Sequence, residues 1–98
     1  MTVEDIEHLR ALKAALAEEI RDVRRLIEQI AEVVVADEQF AMANIDQLQA
    51  FDMAIQRADE SADMLERLSN GAPAGTAVDA VRLGCVQDRL RAALKKAA

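Results

Sequence analysis

Val34-Val35-Ala36-Asp37-Glu38-Gln39-Phe40 interrupts an apolar pattern that otherwise runs from Val3 to Leu68 without a glycine or proline. Upstream of it, Ile6, Leu9, Leu12, Leu16, Ile20, Val23, Ile27, Ile30 and Val34 recur at intervals of three and four, the spacing that gathers side chains on one side of a helix. Downstream, Ile45, Leu48, Phe51, Ile55, Ala58, Ala62, Leu65 and Leu68 keep the same period. A single helix through both stripes would be roughly 100 Å long at about 1.5 Å per residue, and only an extended coiled coil would cover it. At Ala36-Asp37-Glu38-Gln39 two carboxylates break the seam, and Asp37 is a residue type that caps a new helix. The chain is therefore predicted to fold back there, as two legs of about 45 Å whose stripes bury one another.

The ends of these legs carry their own signals. Thr2 and Asp5 stand at capping-box spacing before the first leg. Three of the four Gly and Pro residues cluster at Gly71, Pro73 and Gly75, which marks a linker over 69–75. Thr76 and Asp79 repeat the capping spacing and predict a third, shorter helix. Its apolar side runs through Val78, Val81, Cys85, Val86, Leu90 and Leu94, and Lys95 and Lys96 suit the negative end of its dipole. The predicted organisation is a single helical domain over 1–98, with helices at 3–35, 38–68 and 76–97. In class it is all-α, a long antiparallel helical hairpin plus a shorter third helix. Seams of Ala, Leu, Ile and Val in a unit this small bury a modest core, so pairing with a second copy into a four-helix bundle is expected.

Composition narrows what such a hairpin can do. Eighteen acidic against twelve basic side chains leave a net charge of −6, which argues against nucleic acid as a partner, because phosphate binding needs a cationic surface. There is no Trp or Tyr, and Phe40 and Phe51 alone cannot build a base-stacking platform or a large apolar ligand pocket. One cysteine, Cys85, and one histidine, His8, supply too few soft ligands for a zinc site, so no metal or cofactor of its own is expected. The acidic Met1-Thr2-Val3-Glu4-Asp5 is unlike a signal peptide, and no uncharged run approaches the roughly 20 residues that span a bilayer. These features predict a cytoplasmic protein that uses no membrane.

The stretch that can carry chemistry is Ile45-Asp46-Gln47-Leu48-Gln49-Ala50-Phe51-Asp52-Met53-Ala54-Ile55-Gln56-Arg57. At about 100° per residue, Gln49, Asp52, Gln56, Asp59 and Asp63 share one flank of the second leg, beside its apolar stripe. Asp52 and Gln56 lie one turn apart and can touch the same small object docked against the helix. A carboxylate anchors a lysine; a carboxamide donates to one atom while accepting from another, and so can hold a water in place. Neither task needs a shifted pKa. The pair suits hydrolysis in which a phosphorylated partner already holds the metal and the leaving group. The same residues also describe the solvated flank of any amphipathic helix, and Asp-x-x-x-Gln is a short motif in a chain with nine Asp and six Gln.

On this second leg, Leu48-Gln49-Ala50-Phe51-Asp52-Met53-Ala54-Ile55-Gln56 resembles the active-site helix of the CheZ-type chemotaxis phosphatases and the shorter CheT-like proteins related to them. Those families dephosphorylate CheY-type response-regulator receivers, and their signature is an acidic residue followed four positions later by Gln. The resemblance implies that Asp52 pairs with the receiver's active-site lysine and that Gln56 enters beside the aspartyl phosphate to orient the attacking water. Gln49 and Asp59 would then flank the docked partner. The receiver would contribute the Mg²⁺ and the phosphorylated Asp. The match covers about a dozen residues plus the hairpin. Met-Ala-Ile stands between Asp52 and Gln56 where the larger members have small polar residues, and a third helix stands in place of their receiver-binding tail.

Other residues admit other readings. In Glu7-His8-Leu9-Arg10-Ala11-Leu12-Lys13, His8 is either a surface histidine or the phosphoacceptor of a histidine phosphotransfer protein. Met42, Met53 and Met64 fill a core or form an adaptable rim, the latter suiting a non-enzymatic adaptor that binds a signalling or motility protein. Cys85, beside Gly84 on an apolar face, reads as a buried small hydrophobe. Arg21, Arg24 and Arg25 read as a charged outer face answering Glu18, Asp22 and Glu28.

Overall fold

A computed structural model of the chain describes residues 1–97, in which α1 (Val3–Val35), α2 (Glu38–Ala43), α3 (Ile45–Ser69), α4 (Ala74–Asp79) and α5 (Gly84–Ala97) follow one another. The class is all-α, without a strand among the described residues, and its body is the antiparallel hairpin of α1 against α3. The result is a rod of 57 × 25 × 17 Å.

Local chemistry sets the ends of the legs. Thr2 Oγ1 accepts a hydrogen bond from the Asp5 amide at 3.1 Å while Asp5 Oδ2 accepts from the Thr2 amide at 3.1 Å, closing the expected capping box. Hydrogen bonds from the Thr2 backbone and hydroxyl hold the Asp5 carboxyl below its ordinary pKa. At the reversal, Asp37 caps α2 through its side chain, which accepts from the Phe40 amide at 3.1 Å. Gly71 ends α3: its φ of +93° is the left-handed conformation open to glycine. Its amide reaches the Leu68 carbonyl at 3.1 Å while the Ala72 amide reaches Arg67 at 3.0 Å, the paired bonds of a Schellman cap.

Two predicted elements are each divided. The helix expected over 38–68 is α2 and α3, broken at Asn44, whose φ of −130° and ψ of 39° leave the helical region. Asn44 Nδ2 takes the Phe40 carbonyl at 2.9 Å, the acceptor its own amide would use in a continuous helix, so side chain and backbone compete and the ladder is interrupted. The helix expected over 76–97 is α4 and α5. The capping box proposed for Thr76 and Asp79 does not form: both lie inside α4, which starts after Pro73 with no side-chain cap. Asp79 instead pairs with Arg91 at 3.0 Å, and Gln87 Nε2 donates to the Val78 and Asp79 carbonyls at 3.2 Å, capping the end of α4 from the next helix. Val81, in the connection, is buried. The linker itself is shortened, since Ser69 belongs to α3 and Ala74 and Gly75 belong to α4.

The core is thin. Its buried apolar residues are Ala17, Ala62, Ala77, Val78 and Val81, and among the described residues no large side chain is fully buried. Ala17 and Ala62, at 1% and 0% exposure, let α1 and α3 approach closely where a longer side chain would hold them apart. Replacing Ala62 with Leu is accordingly expected to lower stability by about 1–3 kcal/mol through overpacking. Urea unfolding followed by circular dichroism measures this, with Ala11→Leu on the exposed side of α1 expected to change little.

Candidate functional site

The flank of α3 that carries the candidate residues divides into an open upper part and a closed lower part. Gln49, Asp52 and Gln56 are exposed, and among the described residues none of the three makes a side-chain hydrogen bond or an ion pair within the chain. Asp52 and Gln56 stand about 6 Å apart along the axis, at about 1.5 Å per residue, on a rigid helix. Met53 beside them is 41% exposed.

Lower down, the carboxylates are engaged by α1. Asp59 Oδ1 accepts from Arg24 Nε at 2.6 Å, and Arg24 Nη1 also holds Glu28 at 2.7 Å. Arg21 Nη2 reaches Asp63 at 3.1 Å and Glu66 at 2.5 Å, while its Nη1 holds Glu18 at 3.2 Å. Glu66 and Asp63 raise the pKa of Arg21, and Asp59 raises that of Arg24, so both guanidinium groups stay charged. The local pairs expected for these arginines form, Arg21 with Glu18, Arg24 with Glu28 and Arg25 with Asp22, but the outer-face reading is incomplete: Arg21 and Arg24 also bridge the hairpin, and Arg25 alone of the three pairs only locally. Asp59, expected at the partner surface, is spent on the α1–α3 junction.

Gln56 opens instead onto a shallow cavity of about 330 Å³ lined by Gln56, Asp59, Glu60, Arg82 and Leu83. Glu60 is 5% exposed, the one buried charged residue among those described. Its Oε1 accepts from the backbone amide of Arg82 at 2.6 Å and its Oε2 from Arg82 Nη2 at 3.3 Å. One buried carboxylate thus fixes the connection between α4 and α5 and stations an otherwise exposed guanidinium beside Gln56. Sequence reasoning passed over Glu60 and Arg82. On a helical wheel Glu60 belongs to the wet flank, and no local signal announces that the chain returns to it 22 residues later.

Two other candidates are placed clearly. His8 is a surface side chain whose Nε2 lies 3.9 Å from Glu4 Oε1. Cys85, expected to be buried, is exposed. Dividing the third helix at 80–83 turns Val86 and Leu90 inward, and Cys85 sits with Arg57 and Arg89 along a groove of about 460 Å³ between α3 and α5. Among the described residues no group of three His, Cys, Asp or Glu is arranged to hold a metal ion, and no helix is long and apolar enough to cross a membrane.

The family model described as a domain of unknown function, DUF8776, matches residues 5–98. The chain belongs to this family. No curated protein and no solved structure matches the chain. The match spans both legs of the hairpin and both later helices, so the Glu60–Arg82 link and the Asp52–Gln56 flank lie inside one family domain.

Removing the Glu60 carboxylate tests how the cavity is held. Glu60→Ala leaves the Arg82 amide without its acceptor and should cost about 1–3 kcal/mol, whereas Glu60→Gln, which keeps an acceptor oxygen, should cost less. Hydrogen exchange at the Arg82 amide reads the effect directly: protection is expected to fall in the Ala variant and to survive largely in the Gln variant.

Proposed function

We propose that the protein is a phosphatase of a phosphorylated CheY-type response-regulator receiver, acting in the cytoplasm through Asp52 and Gln56. The observation that carries this reading is that a carboxylate and a carboxamide stand exposed one turn apart on α3 and unengaged among the described residues, while their lower neighbours Asp59 and Asp63 are tied up by arginines. Two groups left free on a rigid helix beside a crowded ion-pair network are available to a second protein. The resemblance of Leu48–Gln56 to the CheZ-type active-site helix supports the same residues.

In this reading Asp52 accepts a hydrogen bond from the receiver's lysine and so sets the register of docking. Gln56 accepts from a water with its carboxamide oxygen and aims it in line with the phosphorus. The water oxygen bonds to phosphorus, the bond from phosphorus to the aspartyl oxygen breaks, and the receiver recovers its carboxylate as inorganic phosphate leaves. The receiver brings the aspartyl phosphate and its own Mg²⁺; this chain brings position. Gln49 extends the docking edge. Arg82, held beside Gln56 by Glu60, offsets a flank whose carboxylates would otherwise repel a phosphoryl group.

A second reading, a non-enzymatic adaptor for a signalling or motility protein, draws on Met42 and Met53, which are 78% and 41% exposed. Loss of label from phosphorylated receivers mixed with the protein separates the two. Acceleration is expected, and Gln56→Ala should reduce it roughly 10²-fold, the scale of a misplaced reactant, while leaving binding intact. Asp52→Ala should weaken binding as well. Acceleration undiminished in Gln56→Ala overturns the assignment, and binding with no change in phosphate lifetime favours the adaptor. Label that moves onto the chain and disappears in His8→Ala would indicate phosphotransfer instead.

A further inference from the structure

The side of α1 turned away from Arg24 carries an apolar seam that the chain leaves largely open to solvent. Leu9, Leu16, Val23 and Ile30 repeat every seven residues, and Leu12, Leu26 and Val33 fill the intervening positions, so the spacing alternates three and four as in a coiled-coil seam. These seven side chains leave between 39% and 76% of their surface in solvent. The side that meets α3 is centred instead around Ala17, Ile20, Arg24 and Ile27, with Leu9 at its edge, where it shares a shallow cavity with Leu68, Gly71 and Ala72. Over about 36 Å, at about 1.5 Å per residue, the helix has two apolar sides and the hairpin uses one.

We infer that this seam is the contact surface for a second copy of the chain, packed antiparallel, α1 against α1. The inference is independent of the proposed hydrolytic role. Burial is the first argument. The chain exposes 7003 Å², whereas a compact monomer of its mass would expose about 5,500 Å². The seam itself accounts for on the order of 600 Å², the upper end of what monomers leave open and close to one partner's share of a specific interface, about 800 Å². A chain without one fully buried large side chain among its described residues needs that additional core.

Orientation follows from Glu19, the one polar residue within the seam. In a parallel pair the two Glu19 carboxylates would face each other inside the apolar contact, an arrangement of like charges in a drying interface. In the antiparallel pair, turned about an axis near Arg21, Glu19 lies across from Val23 of the second copy. Leu9 then meets Val33, Leu12 meets Ile30, and Leu16 meets Leu26, so six of the seven large apolar side chains find another and Val23 alone faces Glu19. Asp22, close to the axis, already carries Arg25 as its partner. The surface continues beyond the seam into a groove of about 380 Å³ lined by Ile27, Gln47, Ala50, Phe51 and Ala54, which lets the second hairpin settle against α3 and complete a four-helix bundle. Ala50 and Ala54 lie roughly opposite Asp52 and Gln56 around α3 at about 100° per residue, so both candidate flanks stay open in the dimer.

Sedimentation equilibrium of the full chain tests this. The mass expected is twice 10.7 kDa, and Leu16→Lys with Leu26→Lys should return it to the monomer. Both positions are more than half exposed, so helicity by circular dichroism should be kept. In a Cys85→Ser background, a mixture of Leu16→Cys and Leu26→Cys chains should cross-link to each other, while Leu9→Cys alone should not. A monomeric mass across the accessible concentration range, or a dimer that persists in the double lysine variant, overturns the inference. Ready self-cross-linking of Leu9→Cys overturns the antiparallel arrangement.

Discussion

The approach of α1 to α3 over small residues governs what every other part of the molecule can do. Ala17 and Ala62 bring two long helices close enough that Arg21 and Arg24 span the gap and reach Asp63, Glu66 and Asp59. Ion pairs this exposed add modest stability, because water already solvates both partners and side-chain entropy is lost in holding them. Their larger effect is on register: three carboxylates spaced along α3 match two guanidinium groups one turn apart on α1, and a slip along the rod would leave several charges unanswered. In that register neither arginine reaches Asp52 or Gln56, which stand beyond the last of these pairs along α3.

The same economy explains the later helices. A chain leaving α3 at Gly71 turns back onto α3 itself, one side of which α1 already covers. Ala77, Val78 and Val81 take what remains, and Glu60 receives the Arg82 amide at the point where α4 gives way to α5. A buried carboxylate is costly unless its oxygens are satisfied, and here both oxygens have donors from the returning chain. The break in the third helix and the placement of Arg82 are two consequences of one bond. A cation beside Gln56 in a chain of net charge −6 follows from it.

Much of the hairpin was legible in advance because its determinants are local. The three-and-four spacing of α1, the Thr2–Asp5 box, the Asp37 cap and the Gly71 stop each act over a few residues, and each stands where those residues predict. The second leg was read correctly in direction but as one piece. Asn44 passes for an ordinary helix residue on a wheel, and its break depends on a side chain capturing the Phe40 carbonyl. Gln49, Asp52 and Gln56 were legible as an exposed flank for the same periodic reason. Asp59 and Asp63 looked equivalent to them, since nothing in a helical pattern says which of several aligned carboxylates will face an arginine on another leg.

Sequence alone therefore determined helix content, the reversal at Asp37 and the flank that bears Asp52 and Gln56, because periodicity, caps and turn residues act through neighbouring backbone. Tertiary structure alone decided which charges are spent and which remain free, where the third helix divides, and which of the two apolar sides of α1 is covered. Those outcomes rest on partners 22 to 45 residues away. Only the packing of one helix on another brings such groups within the few ångströms over which hydrogen bonds and close contacts act.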